Sequence, residues 1–299
     1  MRNPTSWFAA VLAVGCGAQQ VPDTAYRYRA TTPAYTGDEG PWIVLDEAHR
    51  NFHTLEGRYA AFGRILADDG YRMRPGTEPF TQEGLEQVRI LAIANALPPD
   101  GDWDLPTETA FTSEEIAVVE RWVHAGGSLF LIADHMPFGG AAAELAAAFG
   151  FNWINGYALR DDERSEIFRR SDGTLNAAPL IDGSRTEERI DSVAIFTGSA
   201  FLAPAAARPI LHLLAPYTIQ LPVQAGTFTD RTARIDGRHF LSGALLEHGL
   251  GRVVCFGEAA MFSAQLRGPE RMPMGLNQPE AAQNAQFLLN VVHWLDHRL

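Results

Sequence analysis

Four short apolar runs punctuate the chain: Trp42–Leu45, Arg89–Ala94, Ser128–Ala133 and Arg252–Phe256. Each is β-branched or bulky at successive positions, the pattern of a strand covered on both faces, as in a parallel sheet. Between these runs the apolar period becomes helical. Leu55, Tyr59, Phe62 and Leu66 fall on one face, and Gly70 ends that element. Thr112-Ser113-Glu114-Glu115 is a capping box, in which the Thr and the second Glu satisfy free backbone N–H groups. Ile116, Val119 and Val123 follow on a buried face, and Gly126-Gly127 stops the helix. A third helix covers Ala141–Phe149 and closes at Gly150. A fourth runs from Pro279, a good first-turn residue, through Phe287, Leu288, Val291 and Leu295. Strand–helix alternation predicts an α/β fold with a doubly wound, mostly parallel sheet and helices on both faces.

Residues 151–250 are less regular. Ser192–Thr197 and Pro209–Leu214 read as strands, and Thr227–Phe240 as a hairpin, so a small β-rich insertion is expected there. The start of the chain reads as an address. Arg2, an apolar stretch from Trp7 to Val14 and Gly15-Cys16 have the layout of a signal peptide, too short to span a bilayer. Leu12-Ala13-Val14-Gly15-Cys16 resembles the bacterial lipobox, which implies lipidation at Cys16 and a lipid-anchored protein of the cell envelope. An ordinary signal peptide cut nearby is the alternative. Residues 17–40 are polar, contain Pro and Gly without period, and read as a tether to a body at 41–299.

Composition removes several function classes. The 299 residues carry a net charge of -12, which repels phosphate backbones, so nucleic acid is not an expected partner. The sequence contains no lysine, which excludes a P-loop nucleotide site and a PLP Schiff base. Cys255 lies in an apolar run and reads as a small core residue, not a nucleophile.

In open parallel sheets, loops and helix N-termini converge beyond the carboxyl ends of the strands. Asp46, Glu47, His49, Asn51 and His53 follow the first run. Asn95 follows the second, Asp134-His135 the third and Glu258 the last. Three roles compete for this set. Asp46, His49, His53 and Asp134 offer the mixed nitrogen and oxygen donors of a divalent metal, zinc being the best match. Glu47, His135 and Glu258 could carry protons, with Asn51 and Asn95 holding substrate. Alternatively the polar residues cap helices and fill gaps. No Gly-x-Ser-x-Gly elbow or Gly-x-Gly-x-x-Gly fingerprint is present. The set points to a hydrolase, metal-assisted or not, acting on a small or sugar-derived substrate. A non-catalytic lipoprotein that binds a ligand or partner is the alternative, with Trp103, Phe138, Trp153 and Tyr157 as aromatic walls.

The segments Gly126–His135, Gly251–Phe262 with Asn284–Trp294, and Val44–His49 resemble class I glutamine amidotransferase-like domains of the ThuA-like and DUF4350-type groups. The resemblance implies a flavodoxin-like sheet and makes a carbohydrate ligand plausible by analogy. It does not imply glutaminase activity, because neither the catalytic Cys nor the His-Pro-Glu pair of those enzymes is matched.

Overall fold

The computed structural model describes residues 20–37, 39–162, 166–214 and 216–299; Cys16 and the signal segment lie outside the described residues. The chain enters with β1 (Gln20–Pro22) and then alternates. β2 (Trp42–Asp46), α1 (Ala60–Asp68), β3 (Arg72–Gly76), the turn α2 (Gln82–Leu85) and β4 (Val88–Ala94) come first. α3 (Ser113–His124), β5 (Ser128–Ile132) and α4 (Phe138–Ala148) follow. An irregular stretch holds β6 (Asn152–Ile154), β7 (Tyr157–Arg160), β8 (Ile167–Arg169), the turn α5 (Pro179–Asp182) and β9 (Ser192–Ala194). It continues with β10 (Ala200–Leu202), β11 (Arg208–His212), β12 (Tyr217–Leu221) and β13 (Ala233–Asp236). β14 (Leu241–His248), β15 (Gly251–Phe256), the hairpin β16 (Ala264–Arg267) and β17 (Met272–Gly275), and α6 (Asn284–Leu295) complete the chain.

The central sheet runs β3-β2-β4-β5-β15-β14-β10-β6, with β11 also paired to β14. β3, β2, β4, β5 and β15 are parallel, and the strands beyond them are antiparallel. Counted along the chain, the parallel half has the order 2-1-3-4-5, so the winding direction reverses between β2 and β4. In such sheets a crevice opens at that reversal.

Strand alternation splits the core into two layers. Ile43, Leu45, Ile90, Ala92, Phe130, Ile132, Val254 and Phe256 face α1 and α6. Val44, Leu91, Ile93, Leu129, Leu131, Val253 and Cys255 face α3 and α4. Both faces of β2, β4, β5 and β15 are therefore dry, which is why they read as unbroken apolar runs. Each large aliphatic or aromatic side chain buried this way contributes roughly 2 kcal/mol.

Several sequence expectations need correction. β3 reads Arg-Met-Arg-Pro-Gly and had no apolar signal; as an edge strand with a single neighbour it tolerates both charge and proline. Thr227–Phe240 is not a hairpin: its only strand, β13, pairs with β12, which pairs with β7. Pro279 opens a separate 3-10 turn, and the last helix starts at Asn284. Part of the segment expected as a tether, from Gln20 to Tyr35, packs on the body. β1 pairs with β16, Tyr28 donates to Gln286, and Tyr26, Tyr28 and Tyr35 pack on the core. Aromatic residues spaced along a polar segment gave it a surface to bury.

Candidate active site

The loop after β2 is held by its own side chains. Asp46 is buried at the strand end, with both oxygens 2.9 Å from His49 Nδ1. Asn51 donates to the same carboxylate at 2.9 Å and accepts from the His49 N–H at 3.0 Å. The other ring nitrogen, His49 Nε2, is 2.9 Å from Glu115 Oε1. Carboxylates on both sides make both ring nitrogens donors, so His49 is an imidazolium. Burial would push its pKa down, but the bonds and charges of Asp46 and Glu115 outweigh this and raise it. Phe80 and Phe111 flank the ring at 4.7 Å each.

His53 is placed differently. Its ring packs on Tyr59 at 4.6 Å, its Nδ1 is buried with no partner among the described residues, and burial pushes its pKa down to about 3. Glu47 accepts the Leu55 N–H at 2.7 Å and so pins the loop. Asn95 stands in the left-handed region (φ 51°) after β4. Its Oδ1 accepts the Asp134 N–H at 2.9 Å, and its carbonyl accepts from Phe52.

Asp134, His135 and Glu258 meet where β5 and β15 end side by side. Ala133 donates to Phe256 across the pair, and Ser199 donates to Gly257. A Cβ on Gly257 would come within 2.4 Å of the Ser199 carbonyl oxygen, so only glycine permits this approach. Glu258 is fully buried, and its two oxygens accept the N–H groups of Ala260 and Met261 at 2.7 Å each. Burial, then repulsion from Asp134, raises its pKa well above the carboxylate range. Asp134 is raised too, chiefly by burial, while the charge and N–H of His135 oppose the shift. A bare buried charge costs several kcal/mol, which biases both carboxyls toward their protonated forms.

The His135 ring stacks on Tyr157 with centroids 4.5 Å apart and planes 14° from parallel. Its Nδ1 lies 2.8 Å from the Met136 carbonyl oxygen, which also accepts from the Tyr157 hydroxyl at 3.1 Å. A carbonyl can only accept, so Nδ1 carries the proton and the lone pair is on Nε2. Nε2 has no hydrogen-bond partner among the described residues, and the residue is half-exposed. Beside it Phe52 and Trp103 form an aromatic lip over the buried Phe138, with centroids 5.4 to 6.0 Å apart. Phe228, from the loop after β12, covers the edge of Tyr157 at 5.0 Å.

The structure thus divides the sequence-predicted residues. Asp134, His135 and Glu258 share one edge. Asp46, His49 and Asn51 form a closed cluster with Glu115, and among the described residues no three His, Cys, Asp or Glu side chains are arranged to hold a metal. Of the expected zinc ligands, Asp46 and His49 bond each other and His53 packs against Tyr59. Glu47, Asn51 and Asn95 make hydrogen bonds that fix loops. Trp153 is not a wall of the crevice either, being buried with its Nε1 on Ser199 Oγ at 2.7 Å.

The sequence marks Tyr59 only as a helix-face residue, Tyr157 only as an aromatic wall, and Glu166 not at all. Tyr59 donates to the Ala259 carbonyl and faces the charges of Glu258 and Asp134. Tyr157 supports His135 from the irregular stretch. Glu166 has a buried Oε2 without partner among the described residues, and burial pushes its pKa up to about 8. Two open grooves, of 560 and 400 Å³, lie away from these groups, one beside Trp42 and Arg74 and the other beside Tyr217 and Arg234.

No known family profile matches the chain, and no curated protein matches its sequence. Solved structures match it in fold. The mmIFT52 N-terminal domain is 14% identical with a TM-score of 0.59, covering 85% of this chain and 97% of that one. A cytoplasmic protein from Salmonella typhimurium LT2 is 11% identical with a TM-score of 0.52, covering 85% and 98%. A putative ThuA-like protein from Bacteroides uniformis aligns over 91% and 94% at 12% identity, with a TM-score of 0.44. The first two likenesses are likenesses of fold alone.

Proposed function

We propose that the chain is a cell-envelope hydrolase acting on a small or sugar-derived substrate, with His135 as its general base and neither a metal nor a Cys nucleophile in the reaction. One observation carries this reading: His135 is clamped through Nδ1 and Tyr157, leaving the lone pair of Nε2 free at a half-exposed strand end. A water bound at Nε2 would give up its proton as it attacks. The imidazolium so formed would favour the carboxylate form of the neighbouring Asp134. The aromatic lip of Phe52 and Trp103 suits the apolar face of a sugar ring. Phe228 covers Tyr157, so substrate would reach the base by displacing the loop that carries it.

The lipobox-like Cys16 supports the envelope location, and Cys16→Ser should release the protein from membranes. The 2-1-3-4-5 strand order supports a flavodoxin-like, class I glutamine amidotransferase-like kinship with the ThuA-like and DUF4350-type groups. A panel of ester, amide and glycoside substrates tests the function. Turnover is expected from the intact protein, unchanged by chelators, and to fall by about 10²- to 10⁴-fold in His135→Ala. Turnover that survives this change removes His135 as the base.

A second reading, a non-catalytic binding protein, is favoured by Glu258, whose two oxygens are both committed to backbone N–H groups. It expects ligand binding at the lip that is lost in Trp103→Ala and untouched by His135→Ala.

A further inference from the structure

We infer that the tip of the β16–β17 hairpin is the surface that faces an anionic lipid bilayer; this rests on the reading that Cys16 carries a lipid. The argument begins with register. β1 lies antiparallel to β16, with Gln20 opposite Arg267, Val21 opposite Leu266 and Pro22 opposite Gln265. Lower numbers in β1 therefore lead toward the hairpin turn at 268–271. Arg267 in turn lies opposite Met272 on β17. Gln20, Arg267 and Met272 form one row, and the chain leaves that row on the side of the turn.

Distance follows from chain length. Cys16 precedes Gln20 by four residues. Four extended residues span at most about 14 Å. An acyl chain at Cys16 thus holds this row close to the headgroups, with no long tether to let the body turn away.

The chemistry of the tip fits that position. Arg267 and Arg271 are exposed, neither has an ion-pair partner among the described residues, and they outnumber Glu270, the exposed carboxylate of the same turn. Met272, next to Arg271 and opposite Arg267, is apolar and 52% exposed. The body as a whole carries -12, so an anionic surface repels most of it. A locally basic tip with a flexible apolar residue is the kind of surface such a membrane accepts. The opposite edge of the sheet differs: Leu250, 73% exposed, precedes β15, whereas β16 follows its other end.

The test uses the full lipidated chain on vesicles of phosphatidylcholine mixed with phosphatidylglycerol. Lipidation occupies Cys16 and Cys255 is buried, so an environment-sensitive dye labels an introduced cysteine selectively. Flotation reports the anchor. On floating protein, the dye at Met272→Cys is expected to shift to the blue and to be quenched by brominated lipid. The dye at Leu250→Cys is expected to do neither. Arg267→Glu combined with Arg271→Glu should abolish the shift. Floating protein with both dyes in water overturns the inference and leaves the anchor standing. Protein that fails to float overturns both.

Discussion

Three histidines that look alike in the sequence have three different states. His49 is an imidazolium between two carboxylates, His53 is buried and neutral, and His135 keeps a free lone pair. The difference is made by Glu115, Tyr59 and Tyr157, which arrive from other elements, so nothing in the spacing of 49, 53 and 135 could reveal it. His49 has a measurable consequence. Its folded pKa is raised above the ordinary 6.5, so its contribution to stability is complete below that value and is lost as pH rises through the raised pKa. Breaking one side of a buried pair of this kind costs about 3 kcal/mol. His49→Ala should therefore lower the unfolding free energy by roughly that amount at pH 5.5 and by clearly less at pH 9. Denaturant unfolding at the two pH values checks it, and an equal loss at both would show that the ring is not charged in the fold.

Elements with local punctuation were legible. α3 begins where the capping box places it, with Thr112 Oγ1 accepting from Glu115 and Glu115 Oε2 accepting from the Thr112 N–H. The same Glu115 also bonds His49 and the Phe80 N–H, so the cap ties the helix to two neighbouring loops. Thr112→Ala should cost about 1 kcal/mol, the ordinary worth of a cap. Glu115→Ala should cost more than twice as much, because it also strips His49 of a partner. Thermal melts of the two variants separate these effects, and equal losses would reduce Glu115 to a simple capping residue. Elements without punctuation were not legible. β3 is a charged edge strand, and β14 carries Ser242-Gly243-Ala244 where the small residues admit Leu211 and Phe256. Gly257→Ala belongs with this group: the new methyl would strike the Ser199 carbonyl, so a large drop in melting temperature is expected.

Across the whole molecule, the position of the candidate site was readable because a parallel sheet forces strand ends to one side. That rule placed Asp134, His135 and Glu258 on one edge from the ends of two apolar runs. It did not reveal that Asp46, His49 and Asn51 bond one another, because a strand-end loop can fold onto its own carboxylate. Glu166 and the support that Tyr157 gives His135 were out of reach, since the irregular stretch that brings them in has no period to read. The central claim is that the loops close in this way and leave His135 alone with an available imidazole nitrogen over the shared edge. Acylation by diethyl pyrocarbonate at neutral pH, mapped by mass spectrometry, tests it most directly. His135 should be modified quickly, while His49 and His53 stay protected until the protein unfolds. Rapid modification of His49, or a protected His135, would contradict the arrangement and the chemistry proposed from it.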